Sequence, residues 1–293
     1  MTHIVAVAGG KGGTGKTFVA ANIAYLLGNR SIETLLVDAD VENPSIQSIL
    51  GTHIDRIVPV KRFKPIIDQG RCNGCGLCVE KCPEHALTLL PNNKLLFIES
   101  LCAGCGVCRL ICPFNAIKYG EVVEGVFKYG RAGNGIDVVI GELVPGNRRS
   151  IVLVTKLIEE HRELFKKYSY VIIDSPPGSG GALYPIIKYS SHIIAVTEPT
   201  PLGVHDLRKF LTLMDKYGDD NKHLLVVINK YGLPSRSYSE LEEIIRERDL
   251  PYVKVPYSDL VPKTYILGKP LASLYTRIEL SKELDKIANF ILR

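Results

Sequence analysis

The chain has 293 residues, 46% of them apolar, enough to bury a substantial core as one large domain or as one domain with a small module. Its formal charge of +5 is a mild excess that does not by itself require nucleic acid. No apolar run approaches the roughly 20 residues of a membrane helix, and the opening MTHIVAVAGG lacks a basic leader segment, so a cytoplasmic protein is expected.

In chain order, HIVAVAG (3–9) reads as a buried strand. KTFVAANIAYLLG (16–28) reads as a helix, with Val19, Ile23, Leu26 and Leu27 at helical spacing and Gly28 as its stop. TLLVDAD (34–40) is a second strand, followed by one short helix near SIQSILG. Residues 61–120 then interrupt the pattern with an internal repeat: CNGCGLCVEKCPEHAL returns 30 positions later as CAGCGVCRLICPFNAI. Residues 125–146 look like a hairpin with glycine turns. Strands at 170–178, 192–200 and 223–230 alternate with helices at 151–167, 204–217 and 238–249. Strands apolar throughout, alternating with helices, predict an α/β fold: a mostly parallel sheet, helices on both faces and right-handed crossovers. The expected organisation is a discontinuous domain, 1–60 with 121–293, and an inserted module at 61–120.

GGKGGTGKT (9–17) lies between a strand and a helix and fits the P-loop pattern through Gly10, Gly15, Lys16 and Thr17. Backbone N–H groups from Gly10, Gly12, Gly13, Thr14 and Gly15 can converge on phosphate oxygens at the helix N-terminus. Lys16 is expected to reach the β- and γ-phosphates, and the Thr17 hydroxyl to ligate Mg²⁺. One lysine suffices for that work, so Lys11 needs a separate reason. On residue type alone it is a solvated loop lysine.

The run KGGTGKT resembles the deviant Walker A motif of the MinD/ParA/nitrogenase-iron-protein ATPases. That resemblance implies a nucleotide-dependent homodimer in which Lys11 crosses to the nucleotide of the partner subunit and stabilises the transferring phosphoryl group. It implies that Asp40 orients the attacking water, that Asp38 supports the site near Mg²⁺, and that Asp174 holds Mg²⁺ through water. Gly178 is then the sensor of the γ-phosphate. Asp38 has a second reading, as the cap of a following helix. INKYG lacks the fourth-position aspartate of guanine-specific N-K-x-D sites, having Gly232 there, so ATP is expected with Asn229 near the base. Pro256 in VPYSD would pack on the adenine, while Asn229 could instead be an ordinary turn residue.

All eight cysteines fall between Cys72 and Cys112. Each repeat spells C-x-x-C-x-x-C-x-x-x-C-P, the run of bacterial two-cluster ferredoxins, whose fourth cysteine serves the other cluster. The resemblance implies two [4Fe–4S] clusters: one on Cys72, Cys75, Cys78 and Cys112, the other on Cys102, Cys105, Cys108 and Cys82. Structural zinc uses CxxC pairs and is the competing metal. Eight Lys/Arg against four Asp/Glu make residues 61–120 formally +4, so most of the positive excess sits where cluster charge would offset it.

As a whole the chain resembles MinD-superfamily ATPases carrying an inserted α+β ferredoxin domain. Three functions follow: ATP-gated electron transfer to a redox partner, iron–sulfur cluster carriage or assembly for a client protein, and positioning of the MinD/ParA kind. The shared CxxC of cluster carriers is missing outside the two runs, which favours stable clusters used for electrons. The C-terminal segment puts Leu280, Leu284, Ile287 and Ile291 on one face, but Glu279, Glu283 and Asp285 on the other make core packing the better reading than membrane binding. Neither nucleic acid nor membrane is expected as a partner. His85, His161 and His192 show no ligand-spaced partners, and Arg148 and Arg149 read as a solvated loop.

Overall fold

The computed structural model describes residues 2–147, 149–178, 180–217 and 221–292, so Arg148 lies outside the described residues. The chain divides into two compact units, Met1–Val58 with Val126–Arg293, and Pro59–Gly125. In order the elements are β1 (His3–Ala8), α1 (Lys16–Asn29), β2 (Thr34–Asp38), α2 (Ile46–Leu50), β3 (His53–Ile67), α3 (Leu77–Glu80), β4 (Leu87–Leu89), β5 (Leu95–Phe97), α4 (Val107–Leu110), β6 (Ile117–Arg131), β7 (Asp137–Leu143), α5 (Ser150–Glu160), α6 (Arg162–Phe165), β8 (Tyr170–Asp174), α7 (Leu183–Tyr189), β9 (His192–Thr197), α8 (Pro201–Tyr217), β10 (His223–Tyr231), α9 (Tyr238–Glu247), β11 (Tyr252–Pro256), α10 (Leu260–Leu267), α11 (Leu271–Leu274) and α12 (Glu279–Ile291).

The sheet order is β11-β10-β9-β1-β8-β2-β7-β6-β3. The pairs among β11, β10, β9, β1, β8, β2 and β7 are all parallel. Strand residues such as Val5, Leu36, Ile172, Ile194 and Val227 are wholly or almost wholly buried, which is why their sequences run apolar without alternation. Alternate residues point to opposite faces. Val5, Val7, Leu36 and Ile172 share one core with α1, α11 and α12. Helices α5, α7 and α8 contact β7, β1 and β9 and contribute nothing to that core, so they cover the opposite face. Register makes the carboxyl ends flush: Val7 pairs with Asp174, and Asp38 pairs with Asp174 from the other side. The phosphate loop, Asp38 and Asp174 thus share one sheet edge, where open α/β sheets bind ligands.

Leu280, Leu284, Ile287 and Ile291 are all buried against the core, so the apolar face of α12 is occupied by packing. Each such side chain contributes roughly 1.5–3 kcal/mol. No helix among the described residues is long and apolar enough to cross a membrane.

Two readings change. Gly28 does not stop α1, which runs to Asn29. A Cβ there would lie 2.9 Å from Ile136 Cγ1 and 3.1 Å from the Asn134 carbonyl, so the glycine serves close packing. The helix expected at 151–167 is broken at His161. Its ring Nδ1–H donates to the Leu157 carbonyl at 2.8 Å, its backbone N–H donates to the Glu159 carbonyl, and Nε2 accepts from the Tyr129 hydroxyl at 2.9 Å. His192 is buried, and parallel register stacks it on His223, with ring centroids 4.9 Å apart, and sets it edge-on to His3.

The second unit has its own small core of Cys78, Leu87, Leu95 and Ile117. β4 and β5 form an antiparallel pair, and α3 and α4 are matching single turns. The repeat extends to the backbone: His85 and Asn115, 30 residues apart, both have φ 49°.

Candidate functional site

The phosphate loop is held by its surroundings on three sides. A Cβ on Gly10 would strike Asp206 Cβ at 2.0 Å, and one on Gly15 would come within 2.1 Å of Asn229 Nδ2, with φ 99° besides. By contrast, Gly12 and Gly13 face open space with no atom within 4 Å of a built Cβ. Lys16 is buried, and its ammonium donates to the Lys11 carbonyl at 3.0 Å. Gly178 N–H donates to the Gly10 carbonyl, so the segment after β8 already touches the loop.

The charges here do not balance. Asp38 and Asp174 are fully buried, and Asp40 partly. Burial first, then the neighbouring Asp38, pushes the Asp174 carboxyl well up, although Thr17 and Lys16 ease its ionisation. Burial also raises Asp40, and it brings Asp38 up to about 7 against the hydrogen bonds from Ile46 and Ser45. Burial pulls Lys16 down, opposed by Asp174, Asp40 and Asp206. Among the described residues, both oxygens of Asp174 and Oδ1 of Asp40 are buried without a well-formed hydrogen bond, with the Thr17 hydroxyl the neighbour that favours the charged form of Asp174. Several carboxylates around one lysine leave a deficit of positive charge that a divalent cation suits. Among the described residues no three His, Cys, Asp or Glu side chains are set to hold an ion alone. Mg²⁺ commonly keeps waters and phosphate oxygens as most of its ligands.

Asp38 itself is committed to the backbone. Its carboxylate accepts from the N–H groups of Asp40 (3.2 Å), Ser45 (2.9 Å) and Ile46 (3.0 Å). It therefore ties the 40–46 loop and the start of α2 to the sheet edge, which is the capping geometry.

Asn229 donates from Nδ2 to the Thr14 carbonyl at 2.7 Å. With Gly15, Phe18, Pro256, Tyr257 and Tyr265 it lines a cavity of about 210 Å³ beside the phosphate loop. Asn229 and Pro256 thus meet in one pocket although 27 residues apart.

Two residues of this site carried no motif. Glu198, at the end of β9, pairs with Lys11 and, at 2.7 Å, with Lys230, whose ammonium also donates to the Gly13 carbonyl at 2.8 Å. An acid at a strand's carboxyl end was the available signal, the same one that pointed to Asp38 and Asp174. Asp206, on α8, abuts Gly10 and acts on Lys16, and no spacing in the sequence announces it.

In the second unit none of the eight cysteines is joined in a disulfide. Cys72, Cys75, Cys78 and Cys112 line one cavity, and Cys82, Cys102, Cys105 and Cys108 line another. Each quartet draws three cysteines from one repeat and one from the other. Backbone N–H groups of Ala86, Gly104 and Ala116 point at the sulfurs of Cys82 (3.3 Å), Cys102 (3.3 Å) and Cys112 (3.4 Å).

Residues 5–271 match the family described as CbiA, the CobQ/CobB/MinD/ParA nucleotide-binding domain. An uncharacterised protein of Methanocaldococcus jannaschii is 30% identical over 99% of this chain and 97% of its own length. An iron–sulfur cluster carrier protein of Aquifex aeolicus is 45% identical over 65 residues, which is 22% of this chain and 18% of that protein. Among solved structures, the cell division ATPase MinD of Pyrococcus furiosus has the same fold, with a TM-score of 0.60 at 19% identity over 100% of this chain and 99% of that one. With the P-loop and its acids at the sheet edge, these matches make the chain a member of the CobQ/CobB/MinD/ParA nucleotide-binding family.

Proposed function

We propose that this ATPase gates electron transfer through two [4Fe–4S] clusters to a partner protein. The observation that carries the reading is the sorting of eight cysteines into two quartets around two cavities, on a chain that also carries a P-loop. Four thiolates per cavity, each set mixing the repeats, match in number and kind the donor set of a cubane cluster. When bound, the clusters supply one-electron chemistry. The N–H groups of Ala86, Gly104 and Ala116 offset thiolate charge, a contact that raises cluster potential. The ferredoxin module assigned to 61–120 falls within the Pro59–Gly125 unit.

At the nucleotide, Lys16 leaves the Lys11 carbonyl for the β- and γ-phosphates, and Thr17, with Asp174 through water, would hold Mg²⁺, which would offset the phosphate charge. Asp40 orients a water whose oxygen bonds to the γ-phosphorus as the bond to the β-phosphate oxygen breaks, giving ADP and phosphate. Gly178 exchanges its bond to Gly10 for the γ-phosphate. Lys11 reaches the nucleotide of the partner subunit, so turnover requires a homodimer. Asn229 and Pro256 hold the adenine. Asp38 acts on the loop it caps, which is the segment the γ-phosphate reorders. The chain would work in the cytoplasm, without nucleic acid or membrane.

The test is anaerobic. The clusters are reduced, an ATP analogue is added, and EPR and oligomeric state are followed together. A nucleotide-dependent change in the cluster signal is expected, and an indifferent signal, or zinc in place of iron, overturns the reading. The likeness to a cluster carrier favours a second reading, cluster delivery, for which iron would leave this chain for an apo-ferredoxin. Positioning of the MinD/ParA kind would instead be marked by ATP-dependent co-sedimentation with membrane or DNA.

A further inference from the structure

Glu198 is a buried carboxylate with three donors. Lys11 and the Thr200 hydroxyl (3.3 Å) address Oε1, and Lys230 addresses Oε2 at 2.7 Å. Burial works against its charge, but the hydrogen bonds from Lys11 and Lys230 outweigh it and hold the carboxyl below the usual range. The turn that carries it cannot shift easily. Thr197 Oγ1 donates to the Gly203 carbonyl at 2.9 Å, Gly203 N–H donates to Thr200 Oγ1 at 3.0 Å, and a Cβ on Gly203 would sit 2.1 Å from the Glu198 carbonyl. Lys11 is the movable partner: its side chain is 31% exposed, against 6% for Glu198.

We propose that Glu198 holds Lys11 on its own subunit in the resting state and so sets the protein concentration at which ATP-bound copies pair. The proposal rests on the reading of Lys11 as the lysine that crosses to the partner's nucleotide. To cross, Lys11 must break its ion pair, and the partner's phosphates compete with Glu198 for one ammonium group. Lys230 makes the exchange feasible. It keeps the buried carboxylate paired after Lys11 leaves, and it stays anchored on the Gly13 carbonyl. An isolated buried carboxylate would be costly; a shared one releases one of its two cations at lower cost. Glu198 is thus a positioning residue, acting on the reaction through Lys11.

The test compares wild type with Glu198→Gln and Glu198→Asp. The first keeps the shape and an acceptor for Lys230 without the charge. The second keeps the charge but withdraws it from Lys11 by one methylene. Sedimentation with a non-hydrolysable ATP analogue reads the concentration of half-pairing, and a nucleotide titration reads affinity. Both variants are expected to pair at about tenfold lower concentration, with nucleotide affinity within about twofold of wild type, the scale of one charge-assisted hydrogen bond. Turnover per chain should rise correspondingly in dilute protein. Unchanged or weaker pairing in the variant that folds overturns the proposal. Lys11→Ala separates the layers: if it leaves turnover intact, the crossing-lysine reading itself fails. If turnover is lost while the Glu198 variants pair as wild type, only the latch fails.

Discussion

The side-chain amide of Asn229 donates to the backbone carbonyl of Thr14 at 2.7 Å, joining the end of β10 to the phosphate loop across 215 residues of chain. One side chain therefore borders the cavity proposed for the base and braces the P-loop. Asn229→Ala should weaken ATP binding by about tenfold, because it removes the brace and leaves a buried carbonyl unpaired. It should also reduce discrimination between ATP and GTP. Titration with fluorescent analogues of both nucleotides checks both effects. Equal affinity for ATP before and after the change would remove Asn229 from the site.

The two lysines of the loop should separate cleanly. Lys16→Ala should abolish ATP binding, since its buried ammonium is the charge proposed to hold the β- and γ-phosphates. Lys11→Ala should leave binding near wild type and lower turnover by at least about a thousandfold, the scale of a transition-state cation supplied in trans. Binding and steady-state hydrolysis measured on the same preparations decide it.

Cross-ligation makes a prediction that single substitutions cannot. Cys78→Ser with Cys112→Ser touches one quartet, so about four of about eight irons per chain should remain. Cys108→Ser with Cys112→Ser touches both quartets and should leave almost none. Iron analysis of anaerobically purified protein is the measurement. Equal losses from the two pairs would mean that the cavities do not define the ligand sets.

The histidine stack has a pH signature. His192 is pushed down to about 4 from an ordinary 6.5, by burial first and then by His223 and His3. Between those values the unfolded chain takes a proton that the folded one refuses, so stability falls as pH drops from 6.5 to about 4 and the effect levels off below that. The full effect is up to about 3 kcal/mol. Asp38, raised to about 7, has the opposite sign: its protonated folded form is favoured at low pH and the benefit is lost as pH rises. Only the difference between wild type and His192→Gln isolates the histidine. Urea melts at several pH values should show wild type losing more stability on acidification than the variant, and parallel curves would count against it.

Much of the first unit was legible because its signals are local. Buried parallel strands must be apolar on both faces, and a P-loop needs glycine and lysine at set spacing between a strand and a helix. The weakly patterned segments were not legible. β3 mixes charged residues such as Asp55, Arg56 and Lys61 with apolar ones, has only two buried positions, and lacks the clean alternation that marks a half-buried strand. Gly28 looked like a helix stop because helix ends favour glycine, but the reason for it lies in Ile136, distant in sequence. His192 looked alone for the same reason, since its ring partners sit on other strands.

From the sequence by itself came the identity of the phosphate loop, the acids at the strand ends and the two cysteine runs, because each is a pattern of residue types at short separation. Which cysteines share a cavity was implied there only by resemblance. Tertiary structure decided what depends on distant parts of the chain meeting. It brought Asp38 to the start of α2, Asn229 to Thr14, and Glu198 between Lys11 and Lys230. Spacing along a chain constrains neighbours within a turn or a strand. A carboxylate's partner, and hence its charge, is set by which strands lie side by side and in what register.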